Sequence, residues 1–360
     1  MNSCFDVMKI KVFTAFSGYD SQCLGLNRLK EYSSDFDYEL IGWSEIDKGA
    51  IAAHNALFPD FADKNYGDIS KIEWNDVPDF DLFTYSSPCT DFSPSGLQRG
   101  GEEGSGTRSS LLWECRRTIE CKRPKYLLFE NVIALLSCKF INLFERWIFL
   151  VNSMGYKSYY QVLNSRDFGV PQNRPRLFLV SVRNDVNLNY SFPAAIECRP
   201  HLYDILEPDE CINPKLFRKE ERIDQVMRLH YDYMVKLDNK DNSVEGRYDV
   251  LPCGLYCHCT EAFSSPPIYD ISRCLKAMNR ESGIIYKKDG KWYERLFTNR
   301  ECFRLMGLTD EEFDKLEKSV KLTDLYKCAG NSIVVNVLFH IFRKMFVDLE
   351  PDLNTQYVLF

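Results

Sequence analysis

The stretch Asp81-Leu82-Phe83-Thr84-Tyr85-Ser86-Ser87-Pro88-Cys89 is a short apolar and aromatic run that stops at a rigid proline and a cysteine. Asp81–Ser86 predicts a β-strand, and the same grammar repeats on either side. Upstream, Lys9–Phe16 is β-branched and aromatic, and Gly18 leads into a helical pattern carrying Leu24, Leu26 and Leu29. Tyr38–Ser44 is another short apolar run, followed by Asp47–Leu57 at helical spacing. Downstream, Ser109–Cys121 predicts a helix, Lys125–Phe129 a strand and Phe140–Asn152 a helix; Tyr159–Asn164 and Arg176–Arg183 predict two more strands. Strands alternating with helices of about ten residues or more argue for βαβ units. The expected class is therefore α/β, a doubly wound, mostly parallel sheet with helices on both faces.

The rhythm breaks near residue 190. Ser191–Pro200 holds two prolines, and Glu207–Asn242 is polar and charged without a long apolar period. Leu251–Tyr269 is rich in Cys, Ser and Pro, which predicts irregular loops. Helical patterns resume near Thr298–Met306 and from Asn331 to Phe346. The expected organisation is a sheet domain of residues 1–190 plus 315–360, with a smaller irregular domain, 191–314, inserted. The last helix is expected to return to the first domain.

Composition narrows the function classes. The chain has 360 residues, 45% hydrophobic and 27% charged, which excludes wholesale disorder, a collagen-like fibre and a coiled-coil rod. A core of this size needs no disulfide or metal staple. No window approaches ~18 consecutive apolar residues, and the N-terminus lacks the pattern of a secretory signal. A cytoplasmic protein with no membrane partner is expected. The fourteen cysteines are scattered and read as reduced thiols. Cys253, Cys257 and Cys259, with His258 between the last two, lack the paired C-x-x-C knuckles of a structural zinc site. No metal is expected. A net charge of −7 speaks against nucleic acid as a general partner. Yet Ile271–Arg300 holds eight Lys/Arg against three acids, with Tyr286, Trp292 and Tyr293 interleaved, which is compatible with one nucleic-acid-facing surface.

Open parallel sheets bind ligands beyond the carboxyl ends of their strands, so the strand ends hold the candidate site residues. The first offers Phe16-Ser17-Gly18-Tyr19-Asp20-Ser21, in which Gly18 permits a tight turn and close ligand approach. The next strand leads to Glu45, placed to accept from ribose hydroxyls of a nucleotide-like cofactor. Gly67-Asp68-Ile69 follows the second helix, with Asp68 able to accept from an adenine amine and Ile69 to pack on the base. Ser87-Pro88-Cys89-Thr90-Asp91-Phe92-Ser93 presents a candidate nucleophilic thiol. Phe129-Glu130-Asn131-Val132 brings a carboxylate out of an apolar strand, where desolvation favours a proton donor. Gln172-Asn173-Arg174-Pro175-Arg176 sets two guanidiniums two residues apart. The plainer readings are surface carboxylates for the acids and a buried structural thiol for Cys89.

Taken in chain order, this set resembles the cytosine-C5 DNA methyltransferase family of bacterial restriction–modification type. Phe16-Ser17-Gly18 resembles its cofactor turn, Pro88-Cys89-x-x-Phe92-Ser93 its nucleophile loop, Glu130-Asn131-Val132 its base-holding strand end, and Gln172-x-Arg174-x-Arg176 its arginine motif. Arg300-Glu301-Cys302-x-Arg304-Leu305-Met306-Gly307 and Gly330-Asn331-Ser332 resemble its last two blocks. The resemblance spans roughly residues 10–185 and 296–345. It departs at the first block: Thr14 stands where the family commonly has an acid, and Asp20 and Ser21 replace two glycines.

The resemblance implies a Rossmann-like fold that uses S-adenosylmethionine and double-stranded DNA. Cys89 would attack C6 of cytosine, and Glu130 would contact N3. Arg176 would contact the base oxygen with Arg174 nearby, and Asn131 would brace the base-holding loop. Phe16, Ser17, Gly18, Glu45, Asp68, Ile69, Pro88, Asn331 and Ser332 would line the cofactor site, the last two also beginning the final helix. Ser93, Arg99 and Arg108, on a glycine-rich loop that closes over flipped DNA, and Arg273, Lys276 and Arg280, within a target-recognition region, would meet DNA. A monomer acting beside a separate cognate restriction endonuclease is the implied assembly. The alternatives are tRNA cytosine-C5 methylation, whose Cys-Phe-Thr tripeptide is absent here, and a catalytically silent DNA-binding relative. A nicotinamide oxidoreductase would lack its full Gly-x-Gly-x-x-Gly.

Overall fold

The computed structural model describes residues 7–88, 92, 99–239, 244, 247–257, 265–277 and 281–349. Two compact units emerge, one comprising Met1–Asn164, Pro175–Ala194 and Val337–Phe360, the other Ser165–Arg174 and Ala195–Asn336. The second unit thus takes in 315–336, which the sequence reading gave to the sheet domain, and a ten-residue excursion between two strands.

In chain order the elements through the first unit are β1 (Met8–Ala15), α1 (Ser21–Tyr32), β2 (Phe36–Ser44), α2 (Lys48–Leu57), β3 (Leu82–Tyr85), α3 (Leu112–Lys122), β4 (Tyr126–Val132), α4 (Ile141–Ser153) and β5 (Tyr156–Asn164). After β6 (Gln172–Asn173), which belongs to the second unit, the chain re-enters the first as β7 (Pro175–Arg183). The six-stranded sheet has the order β2-β1-β3-β4-β7-β5. β1, β2, β3 and β4 pair in parallel, and β7 runs antiparallel to both β4 and β5. Only β7 is reversed, so the sheet is mostly parallel, as expected. All four residues of β3 are buried, the signature of an interior strand covered on both faces. Phe83 stacks on Tyr85 at 5.0 Å, and the buried Trp147 donates to Tyr85 Oη at 3.2 Å. A buried indole N–H and phenol thus satisfy each other inside the aromatic core.

The second unit continues with α5 (Glu220–Leu229), α6 (Tyr231–Asp238), β8 (Val250–Tyr256), β9 (Ile268–Tyr269), β10 (Ser272–Arg273), β11 (Ser282–Lys288), β12 (Lys291–Leu296), α7 (Asn299–Arg304), α8 (Asp310–Ser319) and α9 (Leu322–Asn331). Four strands form a sheet in the order β12-β11-β8-β9, and β10 pairs with β6. This corrects the expectation of irregular loops. β8 reads Val-Leu-Pro-Cys-Gly-Leu-Tyr, and its Pro and Gly look like breakers. Gly254 is there because the Ile271 carbonyl oxygen lies 2.3 Å from where a Cβ would sit. β11 and β12 are joined by Asp289 and Gly290, both with positive φ (51° and 74°), the Asp-Gly signature of a tight hairpin. Val226, Met234, Leu237, Val250, Leu255, Ile285 and Leu296 form the unit's core.

α10 (Val335–Phe346) closes the fold. Phe346 stacks on Phe36 at 5.4 Å and meets Tyr126 at 5.1 Å, so this helix packs on the first unit's sheet. Among the described residues no single helix is long and apolar enough to cross a membrane.

Candidate active site

The turn after β1 is built from alternating left-handed residues: Phe16, Gly18 and Asp20 have φ of 54°, 60° and 64°. Only Gly18 adopts that conformation without steric cost. The turn is anchored on the end of β2. Ser17 N donates to the Ser44 carbonyl at 3.2 Å, and Gly18 N donates to Glu45 Oε2 at 3.0 Å. Glu45 Oε1 accepts from Ile46 N (2.8 Å) and Asp47 N (2.9 Å). A carboxylate offers about four lone-pair sites; three are filled, leaving Oε2 one acceptor for a hydroxyl. Taking two ribose hydroxyls, as expected, would require releasing one amide. Ser17 is buried, its hydroxyl donating inward to the Thr14 carbonyl at 2.9 Å.

Asn65 ties the third cofactor segment to this frame. Its Oδ1 accepts from Glu45 N (3.2 Å) and Gly67 N (2.9 Å), and its Nδ2 donates to the Glu45 carbonyl (3.1 Å). Asp68 Oδ1 accepts from Ser70 N and Oγ at 3.0 and 2.8 Å, bonds that hold this carboxyl below the usual range. Ile69 is 2% exposed and packs in the apolar core. Its side chain is a core residue, which corrects the expected stacking on a base.

At the end of β4, Glu130 and Asn131 are both buried. Antiparallel pairing sets Val132 opposite Arg176 and Glu130 opposite Phe178, so Arg176 is the diagonal neighbour of Glu130 on one face. Arg176 Nε stands 3.2 Å from Glu130 Oε1, and its Nη1 donates to the Pro175 carbonyl. The adjacent guanidinium thus gives the buried Glu130 carboxyl a charged partner at the strand end. Asn131 Nδ2 donates to the Ser87 carbonyl at 3.1 Å, and its Oδ1 accepts from Val132 N at 2.9 Å. Ser109 Oγ donates to the Pro88 carbonyl at 2.7 Å. Both peptides leading into Cys89 are therefore fixed, one by a predicted residue and one by Ser109, which the sequence reading missed.

Cys89, Ser93 and Arg280 lie outside the described residues. Arg99 and Arg108 are exposed, on a segment that also carries Glu102 and Glu103, paired with Arg146 and Arg116.

In the second unit, Arg174 is 3% exposed and donates to the carbonyls of Leu275 (2.9 Å), Gly330 (2.8 Å) and Ser332 (2.6 Å) and to Cys274 Sγ (3.3 Å). Its guanidinium is spent on backbone, which corrects its assignment beside the substrate base: it is an architectural residue. Asn331 is the last residue of α9, and Ser332 is its C-cap, with Oγ donating to the Cys328 carbonyl at 2.8 Å. The two end a helix instead of beginning one, because the chain stays non-helical until Val335.

The basic stretch is also corrected in space. Lys287, Lys288 and Lys291 pair with Asp238, Asp209 and Glu220; Arg295 is fully buried against Glu301; and Arg300 faces Glu207, Asp310, Asp314 and Glu317. Acids from outside the stretch neutralise most of it. Tyr286 is a core residue hydrogen-bonded to Asp209. Lys276 sits 4.0 Å over the Tyr256 ring and pairs with Glu281, and Arg273 lies over the same ring at 5.4 Å.

Comparisons with known proteins agree with this arrangement. The chain is 34% identical to the type II methyltransferase M2.ScrFI of Lactococcus lactis subsp. cremoris, over 94% of this chain and 99% of the relative. It is 29% identical to the type II methyltransferase M.HhaI of Haemophilus parahaemolyticus, over 78% and 80%. The fold matches that of the Entamoeba histolytica methyltransferase EhMeth with a TM-score of 0.63 at 17% identity, covering 96% of this chain and 100% of that one. A family model described as C-5 cytosine-specific DNA methylase matches residues 10–347. The chain belongs to the C-5 cytosine-specific DNA methylase family.

Proposed function

We propose that this cytosine-C5 DNA methyltransferase works on a base rotated out of a specific double-stranded sequence, through a transient bond between Cys89 and C6. The observation that carries the proposal is the Glu130–Arg176 pair at 3.2 Å, on the strand end that also anchors the backbone before Cys89. C5 of cytosine is a poor nucleophile until C6 is attacked. Cys89 thiolate donates its electron pair to C6, the ring π electrons move toward N3, and Glu130 supplies the proton that N3 takes up. Arg176 holds the base oxygen and keeps Glu130 oriented. After C5 carries the methyl group, N3 gives its proton back to Glu130, the C5 proton leaves to a base, the C5–C6 double bond reforms and the Cys89 sulfur departs with its pair. Rotating the base out costs a few kcal/mol.

The methyl donor is of the S-adenosylmethionine type, and the residues fit it. Its hydroxyls and adenine amine are donors, and the first unit offers acceptors at Glu45 Oε2 and Asp68 beside the Gly18 turn. When bound it supplies an electrophilic methyl group. The chain's part is to hold it with Gly18, Glu45 and Asp68. The second unit, unmatched in its middle by the sequence motifs, is assigned to reading the target bases in the major groove.

The test is bisulfite sequencing of DNA from a methylation-deficient host expressing the wild type or Cys89→Ser. A short motif methylated only with Cys89 intact is expected. An unmethylated genome with soluble protein, or a motif that persists in Cys89→Ser, overturns the proposal; labelled methyl transfer onto RNA would then point to the tRNA alternative. Replacing residues 195–336 by those of a relative should change the motif and not the reaction.

A further inference from the structure

Asp68 stands at the head of a single helical turn, Ile69–Lys71. Its Oδ1 is taken by Ser70 N and Oγ, and Oδ2 faces the Lys71 ammonium at 4.0 Å. A turn of three residues has little of its own to fix it. Its inner side is seated by Ile69 and Ile72, both buried in the apolar core, while Ser70 and Lys71 are exposed. The far end is held by one side chain from another element. Arg117, on α3, donates through Nη1 to the Ser70 carbonyl and through Nη2 to the Ile72 carbonyl, each at 3.1 Å. Glu114, one turn earlier on α3, accepts from Arg117 Nη1 at 2.9 Å, and α3 itself is rooted in the core by Leu112, Cys115 and Ile119.

We propose that Arg117 is a positioning residue for the base of the cofactor: it clamps the Ile69–Lys71 turn to α3 and so aims the Asp68 carboxylate at an adenine amine. Ser70 is the residue that joins the two ends. Its N–H and hydroxyl hold the carboxylate, and its carbonyl is held by Arg117. A planar guanidinium can bridge two carbonyls at once, which fixes the turn in rotation as well as in place. Without it the exposed side of the turn is free to swing on its two isoleucines, and Oδ2 loses its fixed direction. Arg117 touches neither base nor substrate; it acts through Ser70 and Asp68.

This inference rests on the reading of Asp68 as the adenine acceptor, and a four-protein cycle separates the two: wild type, Arg117→Met, Asp68→Ala and the double variant. Calorimetry compares S-adenosylhomocysteine with S-inosylhomocysteine, in which a carbonyl oxygen replaces the amine. Wild type is expected to prefer the adenosyl ligand about tenfold or more, the size of one hydrogen bond to a charged group, and Asp68→Ala to lose that preference. Arg117→Met is expected to cut the preference about three- to tenfold while its affinity for the inosyl ligand stays within about twofold. The double variant is expected to match Asp68→Ala within about twofold, because Arg117 acts only through that carboxylate. Circular dichroism checks the fold; should Arg117→Met not fold, Arg117→Lys, which cannot bridge two carbonyls, is read by the same ratio. A preference unchanged within about twofold, equal losses for both ligands, or a double variant weaker than Asp68→Ala overturns the inference. A wild type that does not distinguish the two ligands overturns the reading of Asp68, and this one with it.

Discussion

Replacing Asn131 by Ala tests whether the approach to Cys89 is held by side chains or by the chain's own geometry. Asn131 is 2% exposed and makes two bonds, to the Ser87 carbonyl at 3.1 Å and from Val132 N at 2.9 Å. Each is worth about 0.5–1.5 kcal/mol net, and a buried group left unpaired costs about 1–3 kcal/mol. The stability loss should be about 2–4 kcal/mol. Only the Ser87 bond holds the peptide before the nucleophile, and Ser109 still holds the Pro88 carbonyl at 2.7 Å. Losing one of two anchors should thin the attacking conformation by about 1–2 kcal/mol, or about 5- to 30-fold in rate. The assay is single-turnover capture of the Cys89 adduct on DNA carrying 5-fluorocytosine, beside S-adenosylhomocysteine affinity. Asn131 bonds to Ser87 and Val132 and, among the described residues, not to Gly18, Glu45 or Asp68, so that affinity should stay within about twofold. Ser109→Ala should slow capture about fivefold, and the double variant should lose more than the product of the singles, because the two anchors hold adjacent peptides. Capture by Asn131→Ala within about twofold of wild type, at a temperature where both are folded, would refute the reasoning.

Glu45→Gln puts an NH2 against one of the amides of Gly18, Ile46 or Asp47. It should weaken S-adenosylhomocysteine binding about 10- to 100-fold, since charge-assisted bonds are worth about 1.5–3 kcal/mol; calorimetry giving a change under about twofold would be inconsistent with a loaded carboxylate. Arg174→Met strips the donors from three carbonyls and should destabilise the protein by about 3 kcal/mol or more in urea unfolding. A loss of activity with unchanged unfolding would restore Arg174 to the substrate. Burial, reinforced by Arg343, pushes the His340 imidazole below its ordinary 6.5. The unfolded chain then takes up a proton that the folded chain refuses, so this contribution is complete above about 6.5 and is lost as pH falls from there through the folded value. His340→Gln should flatten the decline in melting temperature below about pH 6.5, and an unaltered slope would assign the decline elsewhere.

The first unit was legible because its strands are interior. Runs such as Leu82-Phe83-Thr84-Tyr85 are buried on both faces, so they appear as continuous apolar blocks between helical periods and need no knowledge of their partners. The second unit hid its sheet for the opposite reason. β8 carries Pro252 and Gly254, which local rules read as breakers, and only the approach of Ile271 in space explains the glycine. The Asp289-Gly290 turn was a legible hairpin signal that the basic residues around it obscured. Those residues also misled on charge: a local excess of cations says nothing about acids such as Asp209, Glu220 and Asp238 that the fold brings against them.

The candidate site divides along a similar line, between atoms that meet the substrate and atoms that hold those atoms in place. Glu45, Glu130 and Arg176 were readable because chemistry needs those side chains at strand ends. Asn65 and Ser109 act on backbone, and any of several polar residues at several positions could do so; their identity follows from the fold, so sequence spacing alone cannot select them. Arg174 shows the converse. Two arginines two residues apart look equivalent on paper, yet the chain passes from one unit to the other between Arg174 and Pro175. On one side of that boundary a guanidinium is consumed by three carbonyls, and on the other it lies 3.2 Å from a buried carboxylate. A paired motif therefore splits into an architectural residue and a chemical one, and the two make opposite demands on replacement. Lysine at 176 keeps a charge beside Glu130, whereas lysine at 174 cannot spread its donors over the carbonyls of Leu275, Gly330 and Ser332 as a planar guanidinium does.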